Sequence, residues 1–208
     1  MTPRRHSTPL LRRSSAPEFW RREISVIMTR KTHKTALVII PPAETRPPIQ
    51  VIRRVHDHQY RRWIPHITLI YPFRPMAEFP ALCETLAAVC TRVAPFEITL
   101  EAFRFFEHSH RSCTIWLAPD PPATLLQVQT GLWRLVSDCS EVRDFPNGFT
   151  PHLSVGQAPG RSAALPRVKE WQGSWSPLRF KVSEISFLAR NDPPDDVFRV
   201  KAVISLSG

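Results

Sequence analysis

From residue 35 onward the chain alternates between two hydrophobic periods. Apolar runs at strand spacing are interleaved with stretches whose apolar residues recur three and four positions apart. Thr35-Ala36-Leu37-Val38-Ile39-Ile40 is a continuous apolar run stopped by Pro41-Pro42, which predicts a buried strand. Ile49 to Trp63 predicts a helix with Ile52, Val55 and Tyr60 inward and Arg53, Arg54, Arg61 and Arg62 around its polar side. That basic side reads either as a solvated face or as a guide for a polyanion. Phe79 to Val93 predicts a second helix, buried along Phe79, Leu82, Cys83, Leu86, Val89, Cys90 and Val93. Phe96 to Phe106 and Ser112 to Leu117 read as strands joined by a turn at 107–111. A helix with Leu125, Val128, Leu132 and Leu135 on one side spans Leu125 to Val136, and a further helical stretch lies near Ala163 to Trp171. Strands at Phe180 to Ala189 and Val197 to Leu206 close the chain.

Two short strands repeat one phrase within this pattern. Pro65-His66-Ile67-Thr68-Leu69 and, 86 residues later, Pro151-His152-Leu153-Ser154-Val155 each read proline, histidine, aliphatic, hydroxyl, aliphatic. Side chains on a strand change face at every residue, so each imidazole shares a face with its hydroxyl, about 6.5 Å away. The elements around the two phrases repeat in order, as in an internal duplication visible only at the phrases themselves.

Composition narrows the options. No apolar run approaches the roughly 18 to 20 residues of a membrane span. The formal charge is +10, but residues 1–34 hold nine Lys/Arg against two acids, leaving the remainder only mildly basic. Cys83, Cys90, Cys113 and Cys139 show neither metal-type spacing nor a dense disulfide framework, which suits reduced thiols inside a cell. Glycine is scarce at 6 residues and proline abundant at 22, so no glycine-rich phosphate loop is available. The chain divides into a basic tail, 1–34, and one domain, 35–208. The tail has three readings: a disordered arm that contacts RNA, a mitochondrial transit segment, or sequence ahead of a true start at Met28.

The chemistry follows from the phrases. Imidazole titrates near 6.5, so two of them facing one phosphate can take and give protons at neutral pH without a metal. Hydroxyls beside them can donate to the non-bridging oxygens. A zinc site would need a third ligand that neither phrase supplies. His56 and His58 fall on the basic helix, and His108 and His110 in a turn, where solvated histidines are common. By strand parity Thr114 and Trp116, and also Phe103 and Phe105, face away from the core, which makes Trp116 a candidate surface for stacking a nucleobase.

The paired phrases with their flanks, Tyr60-Arg61-Arg62-Trp63-Ile64 before the first and Gly148-Phe149-Thr150 before the second, resemble the two-histidine phosphoesterase superfamily. That superfamily includes 2′,5′ RNA ligase-like proteins and cyclic nucleotide phosphodiesterases, and the flanks look like its eukaryotic A-kinase-anchor-type branch. The resemblance covers about residues 35–206. It implies an α+β fold of two lobes, with two antiparallel sheets and outer helices related by a pseudo-twofold around a catalytic cleft. It implies catalytic roles for His66 and His152 and phosphate binding by Thr68 and Ser154. The expected function is a metal-independent phosphodiesterase without a cofactor, acting on 2′,5′-oligoadenylate, a 2′,3′-cyclic phosphate or a related cyclic nucleotide. It would work as an intracellular monomer, cytoplasmic or nuclear unless the tail directs it to mitochondria. The alternatives are an RNA- or nucleotide-binding adaptor that does not catalyse, and 2′,5′ RNA ligation.

Overall fold

The computed structural model describes residues 30–145 and 148–208. The expected arm at 1–29 lies outside them, whereas Thr32 already pairs with Phe73 and Lys31 bonds the Asp138 carbonyl, so 30–34 belong to the folded body. The elements run β1 (Thr35–Ile39), α1 (Arg46–His56), β2 (Ile67–Ile70), α2 (Phe79–Cys90), β3 (Phe96–Ser109) and β4 (Ser112–Asp120). They continue with α3 (Ala123–Leu135), β5 (Leu153–Ala158), α4 (Arg161–Ser174), β6 (Leu178–Val182), β7 (Glu184–Ala189) and β8 (Arg199–Ser205).

The expected pair of sheets is one antiparallel sheet of eight strands, ordered β6-β3-β4-β5-β2-β1-β7-β8. The phrase strands β2 and β5 lie at its centre and join its halves through the pair Ile67 and Leu153. Alternation then sorts the side chains. Leu37, Ile39, Ile67, Leu69, Ile115, Leu117, Leu153 and Val155 pack in one core with Ile49, Leu86, Leu125 and Ala164 from the four helices. The other face carries the polar members of both phrases and a small apolar cluster of Ala36, Val38, Leu188 and Phe198.

A single long strand was expected over 180–189, and the chain makes two instead. Ser183 alone separates β6, the first strand of the sheet, from β7, the seventh. In a flat sheet six inter-strand steps of about 4.8 Å would part them, while the two residue steps from Val182 to Glu184 reach only about 7 Å. The sheet therefore curls until its ends approach each other. The curl gives the histidine face its hollow shape.

Two further expectations change for identifiable reasons. The first helix starts earlier than predicted, with Pro47 in its first turn, and ends at His56, because Asp57 adopts an extended conformation. Its buried side holds Ile49 and Arg53, the latter only 2% exposed, while Val55 is 71% exposed. The β3–β4 hairpin extends through most of the expected turn. A bulge between Leu100 and Ala102 resets the parity of β3, so Phe103 and Phe105 turn toward the core and Arg104, Phe106 and His108 take the histidine face.

Candidate active site

The register Ile67 to Leu153 fixes the centre of the site. With those two residues facing the helices, His66, Thr68, His152 and Ser154 project to the opposite face, His66 across from Ser154 and Thr68 across from His152. Residues opposite each other in such a pair stand roughly 4.5 to 5.5 Å apart at Cβ. The imidazoles thus occupy one diagonal of a small square and the hydroxyls the other. The four residues singled out in the phrases are brought together here.

Each imidazole is held in the same way. His66 Nδ1 lies 2.7 Å from the Ile64 carbonyl oxygen, and His152 Nδ1 lies 2.8 Å from that of Thr150. A carbonyl only accepts, so Nδ1 donates in both rings and the Nε2 lone pair is left for chemistry. Prolines at positions 65 and 151 precede both histidines. They shape the backbone that brings each carbonyl two residues back under its own ring.

Aromatic rings support both histidines. His66 stacks on Trp63 at 4.6 Å, and Trp63 stacks on Phe198 at 3.5 Å. His152 takes the edges of Phe106 at 4.9 Å and Trp116 at 5.8 Å. Burial pushes the His66 imidazole down to about 4, with Arg53 and His152 adding to the effect while the Ile64 carbonyl and Asp57 oppose it. Burial also lowers His152, reinforced by His108 and opposed by the Thr150 carbonyl. Both rings are neutral at pH 7 in the free protein.

Beneath His66 lies a buried ion pair. Arg53 donates to Asp57 Oδ2 at 2.8 Å, to Gln50 Oε1 at 3.0 Å and to the Trp63 carbonyl at 2.9 Å. Asp57 Oδ1 in turn accepts from the Gln59 amide at 2.8 Å and from Gln157 Nε2 on β5 at 3.2 Å. This network ties the end of α1 to the histidine strand β5 and fixes the backbone of the residue on which His66 stacks. The close approach also requires Gly156, where a Cβ would meet His56 Cβ at 2.8 Å.

A cleft of ≈ 400 Å³ opens over this square, lined by Thr68, His152 and Ser154 together with Phe106, His108, Thr114, Phe145 and Phe149. His66 lies beside this lining, across the strand pair from Ser154. Trp116, 6% exposed, is largely covered, with Phe106 stacked on it at 4.8 Å. Phe106, rather than Trp116, therefore presents an aromatic surface at the cleft, with Phe145 and Phe149. The sequence reading missed Phe106 and His108 because the bulge that turns them inward carries no glycine or proline to mark it. Phe145 and Phe149 were missed because they come from the irregular segment before β5.

Among the described residues no cluster of three or more His, Cys, Asp or Glu is placed to hold a metal ion. All four cysteines are free, and burial pushes the Cys90 and Cys139 thiols up to about 11. No described helix is long and apolar enough to cross a membrane.

Solved structures share this fold. E. coli LigT complexed with 3′-AMP superposes with a TM-score of 0.55 at 20% identity, covering 86% of this chain and 100% of LigT. LigT complexed with phosphate gives 0.55 at 18% identity over the same shares. TT0787 of Thermus thermophilus gives 0.54 at 22% identity, covering 84% of this chain and 98% of TT0787. A search of curated proteins finds no significant match. The family model of the 2′-5′ RNA ligase superfamily matches residues 41–194, a span that contains both phrases, and the chain therefore belongs to that superfamily.

Proposed function

We propose that the protein is a metal-independent phosphodiesterase acting on RNA-derived linkages: 2′,5′-oligoadenylate, 2′,3′-cyclic phosphate ends or a related cyclic nucleotide. The observation that carries this reading is the pair of imidazoles on one diagonal, each with Nδ1–H held by a backbone carbonyl and Nε2 free. Membership of a phosphoester-processing superfamily and a fold shared with a protein solved with 3′-AMP support it.

In the proposed reaction one neutral imidazole removes the proton from the attacking ribose hydroxyl or water. The new P–O bond forms as the opposite P–O bond breaks, and the other imidazole, protonated, gives its proton to the departing oxygen. The hydroxyls of Thr68 and Ser154 donate to the non-bridging oxygens, where charge accumulates. Removing both hydroxyls, in Thr68→Val with Ser154→Ala, is expected to cost about 10² to 10³ in kcat, by analogy with loss of oxyanion donors. Steady-state kinetics would read this, and an unchanged kcat would remove the hydroxyls from the mechanism.

Because both imidazoles are neutral in the free protein, one must gain a proton for the cycle to start, and an anionic phosphodiester favours that gain. The sign is therefore acidic. The profile of kcat/KM, which reports the free protein, should be a bell with its optimum below pH 6.5. Its acid limb is set by protonation of His66 near 4 and its alkaline limb by loss of the proton from His152, whose pKa lies below the ordinary 6.5. The two rings are coupled, so the limbs belong to the pair. An optimum above pH 7.5 would contradict this assignment.

The deciding experiment incubates the full chain, with EDTA throughout, with 2′,5′- and 3′,5′-linked oligonucleotides and 2′,3′- and 3′,5′-cyclic phosphates, followed by mass analysis. Cleavage in EDTA supports the proposal, and activity that requires zinc or manganese refutes its metal-independent part. The superfamily name also raises the reverse reaction, which the same panel would reveal as joined products.

A further inference from the structure

The cleft holds a third imidazole and hydroxyl that the proposed reaction leaves unused. His108 Nε2 lies 2.9 Å from Thr114 Oγ1, across the β3–β4 hairpin, and both side chains line the cleft with His152 and Ser154. Phe106 stands between the two sets. Its ring is 4.9 Å from His152 and 6.5 Å from His108, centroid to centroid. An aromatic surface thus separates two imidazole and hydroxyl pairs of the same composition. In a nucleotide chain, a nucleoside separates successive phosphates in the same way.

The donors and charges at this end suit an anion. In either tautomer the pair keeps one donor free for an anion: the Thr114 hydroxyl when Nε2–H donates to it, or Nδ1–H when the hydroxyl donates to Nε2. His110 and Arg111 stand exposed at the hairpin tip beside it. The acidic lining residue Glu107 faces Arg161 at 3.6 Å, which offsets its charge.

We propose that His108 and Thr114 form a second phosphate subsite. It takes the neighbouring phosphate of an oligonucleotide or nucleoside bisphosphate, with the intervening nucleoside against Phe106. The position of the first phosphate rests on the reading of His66 and His152 given above, whereas the second subsite is defined by binding alone.

The test is calorimetric binding of adenosine 3′,5′-bisphosphate and adenosine 3′-monophosphate to the full chain at one fixed salt concentration. The comparison is made with His108→Ala and with Thr114→Val. Hydrogen bonds to a charged phosphate lead us to expect a preference of about tenfold for the bisphosphate in the natural protein. Each variant should lose most of that preference, with a much smaller change for the monophosphate. Equal affinity for the two ligands in the natural protein, or an equal loss for both in the variants, would overturn the subsite. A protein that shows the His108-dependent preference yet cleaves nothing in the substrate panel would refute the catalytic reading and leave the subsite standing.

Discussion

Replacing either His66 or His152 with alanine is expected to lower turnover by about 10²- to 10⁴-fold while the protein stays folded, the range typical of a lost general acid or base. The fold should survive because both rings project from the face opposite the helices and are only half-buried. Each substitution frees one backbone carbonyl, at Ile64 or Thr150, beside a cleft that water can enter. The two losses should not multiply. Proton removal and proton delivery serve one displacement, so the double variant should be scarcely slower than the worse single variant. Turnover and circular dichroism, measured on the same preparations, decide the matter. A folded variant with full activity would remove that histidine from the chemistry.

Breaking the buried ion pair is expected to have the largest effect on stability. Arg53→Ala or Asp57→Ala should each cost about 3 to 5 kcal/mol, the usual penalty for leaving a buried charge without its partner. At roughly 2 to 4 °C per kcal/mol for a chain of this size, that is a fall in Tm of about 6 to 20 °C. Arg53→Ala also leaves the Trp63 carbonyl without its donor, loosening the residue on which His66 stacks. It further removes a positive charge that holds the His66 pKa down, so the acid limb of the pH profile should move upward. That shift separates positioning from mere stabilisation, provided it is measured at a temperature where the variant is fully folded. An Asp57→Ala variant with undiminished resistance to urea would show that the pair contributes little.

The parts of the architecture that were legible in sequence depended on local spacing. His66 with Thr68 and His152 with Ser154 could be paired on one face because two positions of strand determine that geometry wherever the strand lies. The meeting of the two strands joins residues far apart in the chain, and their register at Ile67 and Leu153 is carried by no local signal. Arg53 was assigned to solvent because a charged side chain ordinarily stays there. The compensating Asp57 sits one turn away, where spacing makes a pair available but does not say whether it is buried. Phe103 and Phe105 were given the wrong face because parity counting assumes an unbroken ladder, and one extra residue near Glu101 reverses it. Ser183 looks like any strand residue, so nothing in 178–189 announces that its two halves belong near opposite ends of the sheet.

That single residue also bears on how the protein is made. The segment after Leu178 supplies β6 to the edge beside β3, β7 to the side of β1, and Leu188 and Phe198 to the cluster on which Trp63 rests. On the ribosome these residues emerge after both phrases have been synthesised. Until they arrive the β1–β2 half lacks its outer strands, and the stack that supports His66 lacks its base. A nascent chain therefore carries both histidines well before it has the surroundings that make them a pair. The segment after Leu178 acts as a clasp, and its synthesis sets the moment at which the site can be assembled.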